Sequence, residues 1–437
     1  LEEDGVMTAV GMTMAEKVLA RASGRARVSP GEFITASVDL VMANDAQFPQ
    51  SCKALEDIGL KKVFDPEKIV VVIDHWVPAN TPMVAEMHRG IREQVKELGI
   101  RHFYDAGVGI EHKVVPEKGH ALPGQLIVGS DSHSTTYGAL AAASTGIGLT
   151  ELAYVMYTGK LWFQVPPTIR FNLTGRLGHG VSPKDLMLAL LAKHTTQVAQ
   201  YKSVEFGGPA AAAMDMEGRL TLANISSEMG AKFSMFAADA TTLDYLRART
   251  DVPVQAFGPD AHAVYEAVHT IDCAAIEPQV AAPHKPDNVK NVSEFASVRV
   301  DQAFIGSCTN AHAGDLQRAA AIMKGRKVAA GTRFLVIPAS HEVMVEAMQN
   351  GSLATLVEAG AMVGTPGCGP CAGGSTGVLG PGETGIASTN RNFKGRGGST
   401  ESFLYLASPE TVAASAIEGR IADPRKYLPS GRPEAAQ

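Results

Sequence analysis

The sequence predicts an α/β fold of parallel sheets flanked by helices and divided among two or three domains. Short apolar, β-branched runs alternate with helical stretches, the pattern of parallel sheets built from βαβ units. Several of these runs end in polar residues: Asp74-His75, Asp131-Ser132-His133 and Ser307-Cys308-Thr309. Sites in parallel sheets form beyond the carboxyl ends of strands, so these ends are expected to share a crevice. Finally, 437 residues with 45% hydrophobic content exceed what one core holds.

In chain order, residues 13–22 read as a helix rich in Ala, Lys, Leu and Arg. Gly31 to Leu40 alternates apolar and polar residues and reads as one strand running into Val41-Met42-Ala43-Asn44-Asp45. Ile69 to Ile73 is a continuous β-branched run, hence a buried strand. Pro82 to Leu98 reads as a helix, with Pro allowed in its first turn. Leu126-Ile127-Val128 is another buried strand, and the Ala-rich stretch after Gly138 and the run Thr150 to Tyr157 read as helical. Trp162 to Pro167 breaks the pattern and places a domain boundary near 164. A strand over Thr168–Leu173 and a helix over Pro183–Leu191 follow. Residues 278–292 carry Pro, His, Lys and Asn and read as a linker. Strands are expected at Ser297–Phe304 and Arg333–Ile337, and helices near 342–349 and at Pro409–Glu418. No repeat at a solenoid period is present.

The net charge of -6 offers no basic footprint for nucleic acid. No apolar run approaches the ~18 residues of a membrane span. The acidic start, Leu1-Glu2-Glu3-Asp4-Gly5, is unlike a secretory signal, and residues 1–6 are set aside as a ragged start. Five Cys in this length point to a reducing compartment, so a cytoplasmic location is expected. Cys52 and Cys273 lack a motif and are expected to be small buried hydrophobes.

The sequence is organised around Gly367-Cys368-Gly369-Pro370-Cys371 and Gly306-Ser307-Cys308-Thr309-Asn310. A Cys-x-x-Cys pair is also a redox dithiol, which needs a helix start to lower its thiol pKa. The flanks Gly364–Gly367 and Ala372–Gly377 are poor helix formers. Zinc would ask for a fourth Cys or a His at regular spacing, and none is evident near these turns. Three thiolates suit a four-iron cluster with one iron free of Cys. The pair alone leaves redox and zinc open; the second Cys turn favours the cluster.

The polar strand ends carry further chemistry. A His beside a carboxylate, as in Asp74-His75, is a candidate acid or base. Neighbours on a strand face opposite ways, so a satisfied strand-end His is the alternative. Asp131 and His133, two apart, share one face and could orient ligand carboxylates and carry protons. A Ser/Thr turn is the alternative there. Asn390 to Arg396 holds two Arg in a Gly-bearing loop suited to bidentate carboxylate binding, unless both are solvated.

Together Asp74-His75, Gly109–His112, Gly129–His133, Gly306–Asn310, Gly367–Cys371 and Thr389–Arg396 resemble the aconitase superfamily, from about Met12 to Pro424. Within it the sequence is most similar to the stand-alone large subunits of 3-isopropylmalate dehydratase and homoaconitase-type hydro-lyases. Thr158 to Pro166 resembles their shorter, archaeal-type branch. The resemblance implies three aconitase-like domains, at 7–163, 164–283 and 284–437, around an iron–sulfur cleft, without the fourth swivelling domain. It implies that Cys308, Cys368 and Cys371 hold a [4Fe-4S] cluster whose fourth, non-Cys-ligated iron acts as a Lewis acid. His75, supported by Asp74, would protonate the departing hydroxyl. Asp131 with His112, and His133 with Glu205, would flank the active iron. Arg391 and Arg396 would bind substrate carboxylates, with Ser132 and Asn44 (or Asp45) as further contacts.

The family's serine base sits in a Tyr-Gly-x-Gly-Ser-type loop, and no such loop is found in this sequence. A separate small, swivel-domain subunit is therefore expected to supply the base. The implied reaction is dehydration and rehydration of a hydroxy di- or tricarboxylic acid through a cis-alkene. 3-Isopropylmalate leads, ahead of homoaconitate, methylmalate or dimethylmalate, and maleate or citraconate. Ala311-His312-Ala313 and Ala372–Ser375 depart from the family pattern and bear on substrate identity. From another class, a cluster-bearing regulatory or binding protein is disfavoured by the acidic balance.

Overall fold

The computed structural model describes residues 11–428. Residues 1–6, the expected domain start at residue 7 and the expected domain end at residue 437 lie outside the described residues.

Three larger sheets organise the chain. The first has five parallel strands in the order His102–Tyr104, Ile69–Val72, Leu40–Asn44, Leu126–Gly129, Ala143–Gly146. Its central strands are buried on both faces, as β-branched runs covered by helices on each side should be. Each buried Val or Ile stabilises this core by about 1.5–3 kcal/mol. The second sheet has four parallel strands: Phe233–Phe236, Ser203–Gly207, Thr168–Thr174 and Ala267–Asp272. The third has seven, five of them mutually parallel: Phe403–Ala407, Thr384–Ala387, Gln302–Ile305, Arg333–Val336 and Met362–Val363. Among the described residues no helix is long and apolar enough to cross a membrane.

Helix ends follow local chemistry. Thr13 caps Met14–Ala22 reciprocally with Glu16, whose carboxylate accepts from the Thr13 amide at 2.7 Å. The helix Pro82–Glu97 starts with Thr81 as its cap and Pro in its first turn.

The strand expected at Ser297–Phe304 is confined to Gln302–Ile305, and three other local expectations fail, each because tertiary contacts override pattern. Gly31–Leu40 is two strands: Phe33–Ser37 pairs antiparallel with Lys160–Gln164, while Leu40–Asn44 enters the five-stranded sheet. The backbone changes partner at Val38, whose amide donates to Gly159, and Asp39, whose amide donates to Leu126. The Ala-rich stretch forms a 3-10 segment, Ser132–Leu140, and then the strand Ala143–Gly146. Gly138 lies so close to the Ser234 carbonyl that a side chain there would collide, and Ala141 at φ 62° ends the helical turn. Residues 278–292 are no bare linker. Gln279–Ala281 and Val289–Asn291 pair with each other, and the former adds to Phe403–Ala407.

The carboxyl ends of the five- and seven-stranded sheets face each other. The Ile110 amide donates to Ala339 and the His341 amide to Val108, both at 2.8 Å, and the Cys368 amide donates to Asp74 at 2.9 Å. Gly109, at φ 146°, is required here, because a Cβ would lie 2.7 Å from Ser340 Cα. The helix Met216–Ile225 reaches the same place, where Thr221 Oγ1 donates to the Thr309 carbonyl at 3.1 Å.

Candidate active site

The strand Gln302–Ile305 delivers Cys308 through a tight turn with Ser307 at φ 87°. The turn Gly367–Ala372 delivers Cys368 and Cys371, the latter from a 3-10 segment. All three thiols are free. Cys368 packs against the small cluster of Ile110, Cys308, Ala311 and Ala339, and Asn390 joins Cys308 to Cys371, its Nδ2 3.4 Å from one Sγ and its Oδ1 3.7 Å from the other. Asn224 Nδ2 donates to Cys308 Sγ at 3.2 Å. Burial, then the neighbouring Cys371, pushes the Cys308 thiol up to about 12. Burial, then Asp74, pushes Cys368 well above the usual thiol range. Burial and neighbouring anions thus keep Cys308 and Cys368 as thiols, and a cationic partner is required before they become thiolates.

Opposite them stand the acid–base groups. His75 Nδ1 lies 2.6 Å from Asp74 and 3.2 Å from Asp45, so the two neighbours on the strand end do pair. Burial opposes its positive charge, but Asp74 and Asp45 outweigh it and hold His75 well above its ordinary value. Burial also raises Asp74. His112 Nε2 lies 2.9 Å from Asp131 and its Nδ1 3.1 Å from Tyr137. Burial lowers His112, so it is neutral beside an anionic Asp131, which His112 and His133 hold down despite burial. Ligand atoms of Asp74, His75 and Cys368 lie within 4.8 Å of one another, as do those of His75, Glu111 and Asp131. The protonated His75 therefore sits beside Cys368, and the neutral His112 beside Asp131.

Asn44 Nδ2 donates to Glu111 at 3.1 Å, and the Glu111 amide donates to Asp74 at 2.8 Å. Arg391 Nε donates to Glu228 at 2.6 Å. Arg396 has a buried Nε without an acceptor; burial opposes its charge, but Cys371 and Asp131 outweigh it and raise its pKa. A cleft of about 560 Å³, lined in part by Asp131, Ser132, Tyr201, Lys232 and Arg391, opens beside these groups. Ser132 is exposed at its edge, Oγ 3.5 Å from His133 Nδ1.

Glu205 is a correction. His133 Nε2 pairs instead with Glu228, at 3.0 Å. Glu205 lies on the strand Ser203–Gly207 of the four-stranded sheet, where it accepts from the Met14 amide at 2.7 Å and from Tyr265 Oη at 2.8 Å. Sequence reasoning also missed Glu111, Asn224 and Asn390. A signal existed: Asn224 and Glu228, four apart, are the amide and the acid in a stretch, 220–229, whose remaining residues are apolar or small hydroxyls.

The donor set fits an iron–sulfur cluster. Three free thiols converge, amides donate toward Cys308, and an unpaired buried guanidinium N–H stands beside Cys371.

A model of the aconitase family (aconitate hydratase) matches residues 16–298 and 290–419. The 3-isopropylmalate dehydratase large subunit 1 of Methanopyrus kandleri is 48% identical over 419 residues, 96% of this chain and 100% of its own. The probable methanogen homoaconitase large subunit of Methanothermobacter thermautotrophicus is 45% identical over 97% of this chain and 100% of its own. The crystal structure of Thermococcus kodakaraensis aconitase X in its holo-form superposes with a TM-score of 0.50, covering 89% of this chain and 93% of that one. At 12% identity it bears on the fold alone. By the family match and by full-length relatives at this identity, the chain belongs to the aconitase family.

Proposed function

We propose that this chain is the large subunit of an iron–sulfur hydro-lyase that dehydrates and rehydrates a hydroxy di- or tricarboxylic acid through a cis-alkene. 3-Isopropylmalate leads because large subunits 45–48% identical to this chain carry that name. Homoaconitate is second, on the relative at 45% identity. The observation that carries the proposal is the junction of Cys368 with Asp74-His75: a thiol turn is hydrogen-bonded to the backbone of a charged acid–base pair.

Cys308, Cys368 and Cys371 would hold a [4Fe-4S] cluster with one iron free of Cys. When bound, it supplies a Lewis acid that makes a substrate hydroxyl a better leaving group. His75, kept protonated by Asp74 and Asp45, delivers a proton to that hydroxyl. Asp131 and His112 fix each other's orientation beside it, and Glu228 sets His133 and Arg391. Arg391 and Arg396 hold substrate carboxylates in the fork geometry that guanidinium offers. Ser132 and Asn44 line the approach. The base that removes the carbon-bound proton comes from a separate small subunit of swivel-domain type. Domain limits near 164 and 284 complete the reading.

The test is anaerobic reconstitution with iron and sulfide, then iron counting and assay of candidate alkenes with and without the small subunit. Four irons per chain and loss of alkene absorbance only with the partner are expected. No iron uptake, or turnover by this chain alone, overturns the proposal.

A further inference from the structure

Lys184 is a fully buried cation that the mechanism above does not use. It occupies the first turn of the helix Pro183–His194, directly after Pro183. The amino end of a helix disfavours positive charge, so neither burial nor helix dipole accounts for it. Its neighbour Asp185 does not pair with it; that carboxylate accepts from Ser182 and from the Gln279 amide, each at 2.8 Å.

Its hydrogen bonds go elsewhere. Nζ donates to the carbonyl of Ser388, at 3.2 Å, and to that of Thr389. These residues follow the strand Thr384–Ala387 and lead straight to Asn390 and Arg391. Ser388 Oγ accepts from the Gly306 amide at 3.1 Å and lies 2.8 Å from the Asn310 carbonyl, so it ties this segment to the Cys308 turn. Asn390 contacts both Cys308 and Cys371. One ammonium therefore fixes the backbone that leads into Asn390, which contacts two of the thiols, and into Arg391. Burial pushes Lys184 down to about 8, and Cys371 and Cys308 are the foremost groups that favour its charge.

We propose that Lys184 is a positioning residue of the thiol site, clamping the Ser388–Thr389 backbone and supplying the buried positive charge that the thiolates and their bound cluster require. The inference rests on the iron–sulfur reading above.

The test compares reconstituted wild-type chain with Lys184→Arg, Lys184→Gln and Lys184→Met. Iron release to a chelator and the midpoint potential of the bound cluster are measured. Lys184→Arg keeps the charge and should hold iron at a potential near wild type. Lys184→Gln keeps a donor but loses the charge. Its potential should fall, because a nearby positive charge favours the form that has gained an electron. Lys184→Met should also release iron about 10–100-fold faster, the usual scale for losing a group that supports metal ligands. Wild-type potential in Lys184→Gln overturns the proposal, whatever Lys184→Met does. If Lys184→Met does not fold, the Arg and Gln variants decide. A wild-type chain that takes up no iron overturns the iron–sulfur reading and this inference with it. Iron-loaded wild type with unaltered variants overturns this inference alone.

Discussion

The five-stranded and seven-stranded sheets aim their carboxyl ends at one crevice and furnish it with opposite chemistry. The first contributes Asp45, Asp74, His75, His112 and Asp131, in which each imidazole has a carboxylate within 2.6–3.2 Å. The second contributes Cys308, Cys368 and Cys371 with amides and hydroxyls around them. The first region is paired as folded. Each imidazole meets a carboxylate, and the number and closeness of those carboxylates set which imidazole carries a proton. The second is incomplete: burial and nearby groups raise Cys308 and Cys368, and an added cation reverses that. On the function proposed above, the crevice joins a preorganised proton-handling wall to a wall that a metal cluster would finish.

Breaking the second wall should therefore have the largest effect. Cys308→Ser, Cys368→Ser or Cys371→Ser each removes a ligand, so iron per chain and turnover should both fall to background, read by iron counting and alkene absorbance. Breaking the first wall should separate the two readouts. His75→Gln should keep its iron and lose about 10²–10⁴-fold in kcat, the range for a general acid.

A finer cut tests what sets the charge of His75. Burial works against that charge, and Asp74 is the foremost group that overcomes it. With a raised pKa, the active protonated form persists through neutral pH and is lost as pH rises through that raised value. Asp74→Asn removes one of the two supporting carboxylates. The alkaline limb of the kcat/KM profile should then move to lower pH, with iron content unchanged. A limb that stays in place means Asp45 alone holds the proton.

The two walls also differ in how far the sequence exposes them. The Cys turns are legible because Gly, Pro and Ser around a thiol announce a turn, and the acid–base strand ends because polarity stops an apolar run abruptly. The Asp74–His75 pair is not guaranteed by strand alternation; it forms because both residues lie past the end of Ile69–Val72, where the chain leaves the pleat. What stays hidden depends on distant packing. Phe33–Ser37 and Leu40–Asn44 read as one strand because a change of partner leaves no mark in the alternation. Ala143–Gly146 lacks β-branching apart from Thr145 and is a strand only because Leu126–Gly129 pairs with it. Family resemblance placed Glu205 beside His133, yet the turn after Met216–Ile225, not the strand Ser203–Gly207, reaches that imidazole.

That last difference yields the subtlest test. Glu228 is buried, yet His133 and Arg391 keep it below the usual carboxylate range, so it is an anion shared between the two walls. Glu228→Gln keeps the size and removes the charge. His133 and Arg391 then lose their common anion, and the more weakly held guanidinium is free to shift away from the carboxylate it is proposed to bind. A misplacement of about 1 Å costs on the order of 10²-fold, so kcat/KM should fall by about that much, chiefly through KM. Glu205 is the control. Its carboxylate is raised by burial and holds the Met14 amide and Tyr265. Glu205→Gln should leave kcat and KM alone and cost only ~1–3 kcal/mol of stability, the scale of a weakened buried hydrogen bond. Equal kinetic losses in the two variants would mean that the four-stranded sheet acts on the site through Glu205 as well.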